Sequence, residues 1–220
     1  MRTPPSDPTA NSGSERRALV VGVLGGIASG KSLVARLLAG DDGAVVDADR
    51  VAHAVLASDA VTRKVRERFG DAVLGVDGRP DRRALAQVVF EDSEARAALE
   101  GWIHPLVRDR IRTALDAART ASIVVLDVPL LLENDREHGL RAACDVLVHV
   151  DAPVEQRTAR AVTERGWAPD ELARRERAQL PQDEKRRAAQ HVIVNDGDLD
   201  QLKSRCADLR RHLLAQRPTS

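Results

Sequence analysis

Eight consecutive residues, Gly25-Gly26-Ile27-Ala28-Ser29-Gly30-Lys31-Ser32, carry the clearest chemistry in this chain. They follow the pattern G-x-x-x-x-G-K-[ST], in which a glycine-rich turn lets successive backbone N–H groups face inward as a nest for anionic oxygens. Lys31 can reach the terminal phosphates of a nucleoside triphosphate, and the Ser32 hydroxyl can ligate Mg²⁺. The flanks agree. Leu19–Leu24 reads as a buried strand and Leu33–Ala39 has helical spacing. Strand, loop and helix in that order set the nest at a helix N-terminus, which favours negative charge. Nucleoside triphosphate binding is therefore expected of residues 26–33, with the backbone N–H of Leu33 available to the α-phosphate.

Further acids stand at the ends of predicted strands. Val45-Val46-Asp47-Ala48-Asp49 places two carboxylates just past the second apolar run, and doubly wound sheets bind ligands at the carboxyl ends of their strands. While the chain stays extended, positions two apart share one side, so both acids could face the loop. Asp49 could then orient the proton of an attacking hydroxyl, and Asp47 could assist a metal or the loop. Asp is equally a preferred N-cap, which a helix over Val51–Leu56 would use. Asp127 ends the run Ile123-Val124-Val125-Leu126, where it could sit beside Mg²⁺ or merely cap a loop. His104 precedes Pro105 in a long helical stretch, where packing is the commoner role. Arg82, Arg83 and Arg108 read as solvated by default. Facing a phosphorylated acceptor, they become phosphate contacts.

These residues need a scaffold that gathers strand ends. Apolar runs at Leu19–Leu24, Ala44–Val46, Ser122–Val128, Asp145–Val150 and His191–Val194 alternate with helical patterns. That alternation predicts an α/β fold with a five-stranded parallel sheet flanked by helices. The stretch from Val51 to Arg119 far exceeds the dozen or so residues a plain crossover needs. Interrupted by the turn Gly75–Pro80, it reads as a helical subdomain for a second substrate. After Val150, Pro153–Arg165 reads as a helix ended by Gly166, and Pro169 opens another to about Leu180. Nine Lys or Arg face six Asp or Glu between Arg157 and Arg187. That balance suits a solvated hairpin, or an arginine-bearing lid if the chain is a phosphate-loop kinase. The expected division is a disordered leader over 1–17, one domain over 18–215 and a frayed tail over 216–220. Within the domain, core segments 18–50, 120–152 and 188–215 accompany an acceptor-binding subdomain over 51–119 and a lid over 153–187.

Composition narrows the partners. Lys plus Arg and Asp plus Glu both number 34, so no basic field draws in nucleic acid. Aromatics at 2% leave few platforms for stacking single-stranded bases. No apolar run approaches the ~18 residues of a membrane span, and residues 1–17 lack the apolar core of a signal peptide. Cys144 and Cys206 stand far apart and outside any metal-ligand spacing, which fits a reduced cytoplasmic setting. A monomer or weak homo-oligomer is expected.

Taken in order, these residues resemble the dephospho-coenzyme A kinase family over about Val20 to Gly197. The resemblance runs through the Gly25–Ser32 loop, Asp47-Ala48-Asp49, Phe69-Gly70 and Asp81-Arg82-Arg83-Ala84-Leu85. It continues with Val89-Phe90, Leu99 leading to His104-Pro105, Pro129-Leu130-Leu131-Leu132-Glu133, Arg160, Arg165, Gln179 and Asn195-Asp196-Gly197. The loop alone suits many families; the ordered set is specific to one. The resemblance implies ATP-dependent phosphorylation of the ribose 3′-hydroxyl of dephospho-coenzyme A, with ATP as donor and Mg²⁺ as metal. It implies a P-loop NTPase fold built as core, helical acceptor domain and lid. It implies Asp49, Lys31, Arg160 and Arg165 as catalytic residues, and Asn195 as a further ATP contact. Arg83, His104 and Arg108 join Asp49 as implied acceptor contacts, with Ser32 and then Asp127 as metal ligands. The chain departs from the family pattern with Ala28 for Gly, Leu33 for Thr, Leu132 for Phe, Ser58-Asp59-Ala60 for Pro-Gly, and Gln190 for an acid.

The enzyme rival is another small-molecule kinase, acting on a nucleoside or a different alcohol. A GTPase switch is disfavoured, because Asp127-Val128-Pro129-Leu130 is not D-x-x-G and no N-K-x-D follows. A transporter ATPase would need an L-S-G-G-Q stretch, which the chain lacks.

Overall fold

Short apolar runs rich in valine, isoleucine and leucine build the sheet. In the computed structural model, which describes residues 17–217, five runs form strands. They are β1 (Leu19–Gly25), β2 (Ala44–Asp47), β3 (Ile123–Asp127), β4 (Val146–Asp151) and β5 (His191–Val194), each bound within one residue of its expected position. All pair in parallel, in the order β2-β3-β1-β4-β5. Every residue of β3 is buried, as a central parallel strand covered on both faces requires.

The helices, in chain order, are α1 (Lys31–Ala39), α2 (Ala48–Leu56), α3 (Asp59–Phe69), α4 (Arg82–Glu91), α5 (Ser93–Ala117) and α6 (Asp135–His138). They continue as α7 (Val154–Arg165), α8 (Glu171–Glu176), α9 (Gln182–Ala188) and α10 (Leu199–Ala215). On one face of the sheet, Val34 and Leu38 of α1 and Leu202, Cys206 and Leu213 of α10 meet Val21, Val23, Val125 and Val148. On the other, Ile111 of α5, Leu131 and Leu140 meet Leu24, Val124, Leu126 and Leu147. Burying each such side chain contributes about 1.5–3 kcal/mol, so the two apolar faces rather than helix propensity hold these layers. A third cluster of Val55, Val61, Val65, Val73 and Leu85, with Phe69, Leu99 and Trp102 against it, joins α2 to α5.

Several boundaries depart from the sequence reading. α2 begins at Ala48, earlier than Val51, because Asp47 is its N-cap and accepts from the Arg50 N–H at 3.0 Å. Asp47 and Asp49 therefore do not share one side of an extended chain; Asp49 lies in the first helical turn. The helix expected from Pro169 to about Leu180 is shorter, since α8 ends at Glu176 and Pro181 caps the start of α9. Gly166 ends α7 in the left-handed conformation, as its sequence position suggests. At the chain ends, Arg17 pairs with Asp145 at 2.5 Å and Arg217 Nε donates to the Arg17 carbonyl at 2.9 Å. Arg17 and Arg217 are thus fastened where a loose leader and tail were expected. Residues 1–16 of that leader and 218–220 of that tail lie outside the described residues.

With every strand parallel, the C-terminal ends of β1, β2, β3 and β5 bring the glycine loop, Asp47, Asp127 and Asn195 to one edge of the sheet.

Candidate active site

The turn between β1 and α1 closes around its own lysine. Lys31 Nζ donates to the carbonyls of Gly26 at 2.8 Å and Gly25 at 3.2 Å. Burial pulls the Lys31 pKa down to about 8, against the attraction of Asp127. An incoming anion would restore the charge that burial disfavours. Gly30 has φ 93°, and a Cβ there would lie 2.5 Å from Nδ2 of Asn195. That Nδ2 donates to the Ser29 carbonyl at 2.8 Å, so the end of β5 braces the loop across 166 positions of sequence. Leu33 N–H donates to the Gly30 carbonyl at 3.1 Å and opens α1, rather than standing free for a phosphate. Ala28 is the one non-glycine residue at positive φ among those described, at 57°. That conformation costs an L-residue about 1–2 kcal/mol.

Two cavities meet beside this loop. The first, about 900 Å³, is lined by Ile27 to Leu33 together with Asp47, Asp49, Asp127, Arg160, Arg165, Trp167, Arg175, Gln179 and Asn195. The second, about 300 Å³, lies between the start of α2, α5 and the segment around α6, and includes Asp49, His104, Val107, Arg108 and Glu137. Asp49, Pro129 and Leu130 line both. Asp127 is buried at the end of β3. Burial raises its pKa above the usual carboxylate range, and the charges of Asp47 and Asp49 add to that rise. The nearby Ser32 hydroxyl and the Lys31 ammonium oppose it.

The structure thus brings Lys31, Ser32, Asp49, Asp127, Arg160, Arg165 and Asn195 to one cavity. Gly26 lies behind the loop. His104 and Arg108 line the second cavity, with His104 Nδ1 3.6 Å from Glu137 Oε2 and Arg108 donating to the Glu137 carbonyl at 3.2 Å. Arg83 lies exposed on α4 and lines neither cavity. From the helical hairpin, Arg160 donates to the Ala28 carbonyl at 3.3 Å. Arg165 and Arg175 stack on the Trp167 ring at 5.1 and 4.4 Å.

Four residues escaped the sequence reading. Arg157 and Glu176 bond to the back of the loop, and Arg175 lines the cavity. Lys185 is buried against Glu133 at 2.6 Å and donates to Gln179 Oε1 at 3.1 Å. All four sit in a run of mixed charge that reads as a solvated surface. Only the spacing of Arg157 three before Arg160, on the same helix face, hinted otherwise.

Residues 19–201 match the family model described as dephospho-CoA kinase. The dephospho-CoA kinase of Methylococcus capsulatus is 43% identical over 88% of this chain and 96% of its own length. That of Thermobifida fusca is 39% identical over 89% and 96%. A crystal structure from Thermus thermophilus superposes with a TM-score of 0.73 at 37% identity, covering 89% of this chain and 98% of its own. The dephospho-CoA kinase structure from Campylobacter jejuni, at 20% identity and a TM-score of 0.64, covers 88% and 96% and shares the fold.

Proposed function

The chain belongs to the dephospho-CoA kinase family, and from that premise we propose which of its residues carry the reaction. It phosphorylates dephospho-CoA with ATP in coenzyme A synthesis. The observation that carries our reading is the position of Asp49, which lines both cavities at their junction. The larger cavity holds ATP against the loop. The smaller one, with His104 and Arg108 in its wall, receives the acceptor.

Phosphoryl transfer asks the protein mainly to align reactants and to stabilise charge. The loop amides and Lys31 hold the triphosphate. Asp49 accepts a hydrogen bond from the ribose 3′-hydroxyl and turns its oxygen towards the γ-phosphorus. Arg160 and Arg165 face the transferred group from the lid over 153–187 and exclude water that would hydrolyse ATP. Residues 51–119 supply the acceptor-binding helices.

Mg²⁺ fits this site. Asp127 is a buried carboxylate whose charge is disfavoured there, and Ser32 lines the same cavity. Mg²⁺ keeps several waters and commonly takes only one or two protein groups beside substrate phosphates. Ser32 and Asp127 would hold it, and when bound it would neutralise charge on the β- and γ-phosphate oxygens.

A cytoplasmic setting is supported by Cys144 and Cys206, buried free thiols whose pKa values burial raises to about 12 and about 11. Among the described residues, no helix is long and apolar enough to cross a membrane.

The test is ADP release from ATP with and without dephospho-CoA. Turnover should require the acceptor. Asp49→Asn should lower it about a hundredfold, the scale of a lost hydroxyl-orienting base, with ATP affinity close to wild type. Full specific activity in that variant would remove Asp49 from the mechanism.

A further inference from the structure

The Ile27 peptide, in the middle of the phosphate loop, is gripped from behind by the lid. Its N–H donates to Glu176 Oε1 of α8 at 3.2 Å. Its carbonyl accepts from an Arg157 guanidinium nitrogen of α7 at 3.5 Å. Arg157 is buried, pairs with the same Glu176 oxygen, and donates through Nε to the Ala152 carbonyl at 3.1 Å. The next carbonyl, that of Ala28, accepts from Arg160 at 3.3 Å. The approach is close enough that a Cβ on Gly26 would lie 2.8 Å from the Arg157 guanidinium and 2.9 Å from Glu176 Oε1.

An anion nest works only while the N–H groups that line it face inward, and the Ile27 N–H, turned back to Glu176, sets the course of the chain just before them. Two successive carbonyls of this loop are held outward by arginines of one lid helix. The intervening Ala28 sits in a costly left-handed conformation, and such a conformation persists only when its surroundings over-determine it. We propose that Arg157 and Glu176 are positioning residues. They fix the Ile27 peptide so that the seating of the lid and the affinity of the loop for nucleotide phosphates are coupled. Neither side chain touches the reacting atoms; both act through the backbone that does. This inference rests on the loop being the ATP phosphate site.

The experiment measures ADP binding by calorimetry, together with KM for ATP and kcat at saturating dephospho-CoA. Glu176→Ala removes both the acceptor for Ile27 N–H and the partner of Arg157. It should weaken ADP binding and raise KM for ATP about tenfold, with kcat little changed, the signature of lost binding to the loop. Glu176→Gln, which keeps an oxygen for the N–H but no charge, should shift both about threefold. Unchanged nucleotide affinity in the folded variants would overturn the proposal. So would a drop in melting temperature and kcat at constant KM, which is what a merely structural pair would give. If Glu176→Ala does not fold, Glu176→Gln decides alone by the same criterion. Lys31→Ala separates the premise from the inference. Unchanged ADP binding there would remove the phosphate-loop assignment itself. Weakened binding there, beside wild-type binding in the Glu176 variants, would remove only the coupling.

Discussion

Ala28 bears a conformational cost that its neighbours do not. Five of the residues around the turn are glycine or serine, yet the left-handed position, φ 57°, carries a methyl group. Glycine there would relieve about 1–2 kcal/mol of strain and give back roughly half of that as extra freedom of the unfolded chain. Ala28→Gly should therefore stabilise the protein by about 0.5–1 kcal/mol in urea unfolding and leave turnover intact. A lower midpoint would show that the loop is not strained at this residue. Lys31 and Asp127 show the same economy of placement. Each is an ionisable group whose burial disfavours its charge, and the charge of each partly offsets that effect on the other.

At the scale of elements, α7 and α8 carry the side chains that bond to the loop backbone. Trp167 sits between them, with Arg165 and Arg175 on its ring and the cavity before it. Phosphates entering the cavity compete with the indole for both guanidiniums, so nucleotide should change the indole's surroundings. Trp102 lies apart, against Phe69 at 6.2 Å in the α2–α5 cluster, and can be removed as a signal. In a Trp102→Phe background, ATP or a non-hydrolysable analogue with Mg²⁺ should alter Trp167 emission saturably, and Arg175→Ala should reduce the change. A spectrum indifferent to saturating nucleotide would mean that these helices do not respond to it.

At the scale of the whole molecule, a buried imidazole ties stability to pH. His149 of β4 is 2% exposed under α9. Burial holds its imidazole below the ordinary pKa, with Arg186 and Lys185 adding to that effect and Gln182 and Asp151 opposing it. The folded state thus prefers the neutral ring, so the unfolded chain binds more protons as acid is added. Stability attributable to His149 is present above the unfolded pKa, about 6.5, and is lost as pH falls below it. His149→Leu should flatten the fall in melting temperature between about pH 7 and 5 relative to wild type. An unchanged slope would place the acid sensitivity elsewhere.

By itself the sequence determined the five strands, the phosphate loop between strand and helix, and the Gly166 stop. These rest on apolar period and turn chemistry, which act between near neighbours. It also named many of the residues that line the larger cavity, since parallel strands deliver their C-terminal residues to one edge whatever the details of packing. Only the tertiary structure decided that Asp47 caps α2 while Asp49 stands between two cavities, because one turn of helix replaces the extended chain that alternation assumed. Only it put Arg83 on an outer face, and Asn195 under Ser29 rather than simply beside ATP. The grip of Glu176 on Ile27 spans 149 positions. Contacts of that span are set by the order of strands in the sheet and by how helices seat on it. Local pattern in the chain carries neither, so a buried charge pair and a solvated one read alike until the chain is folded.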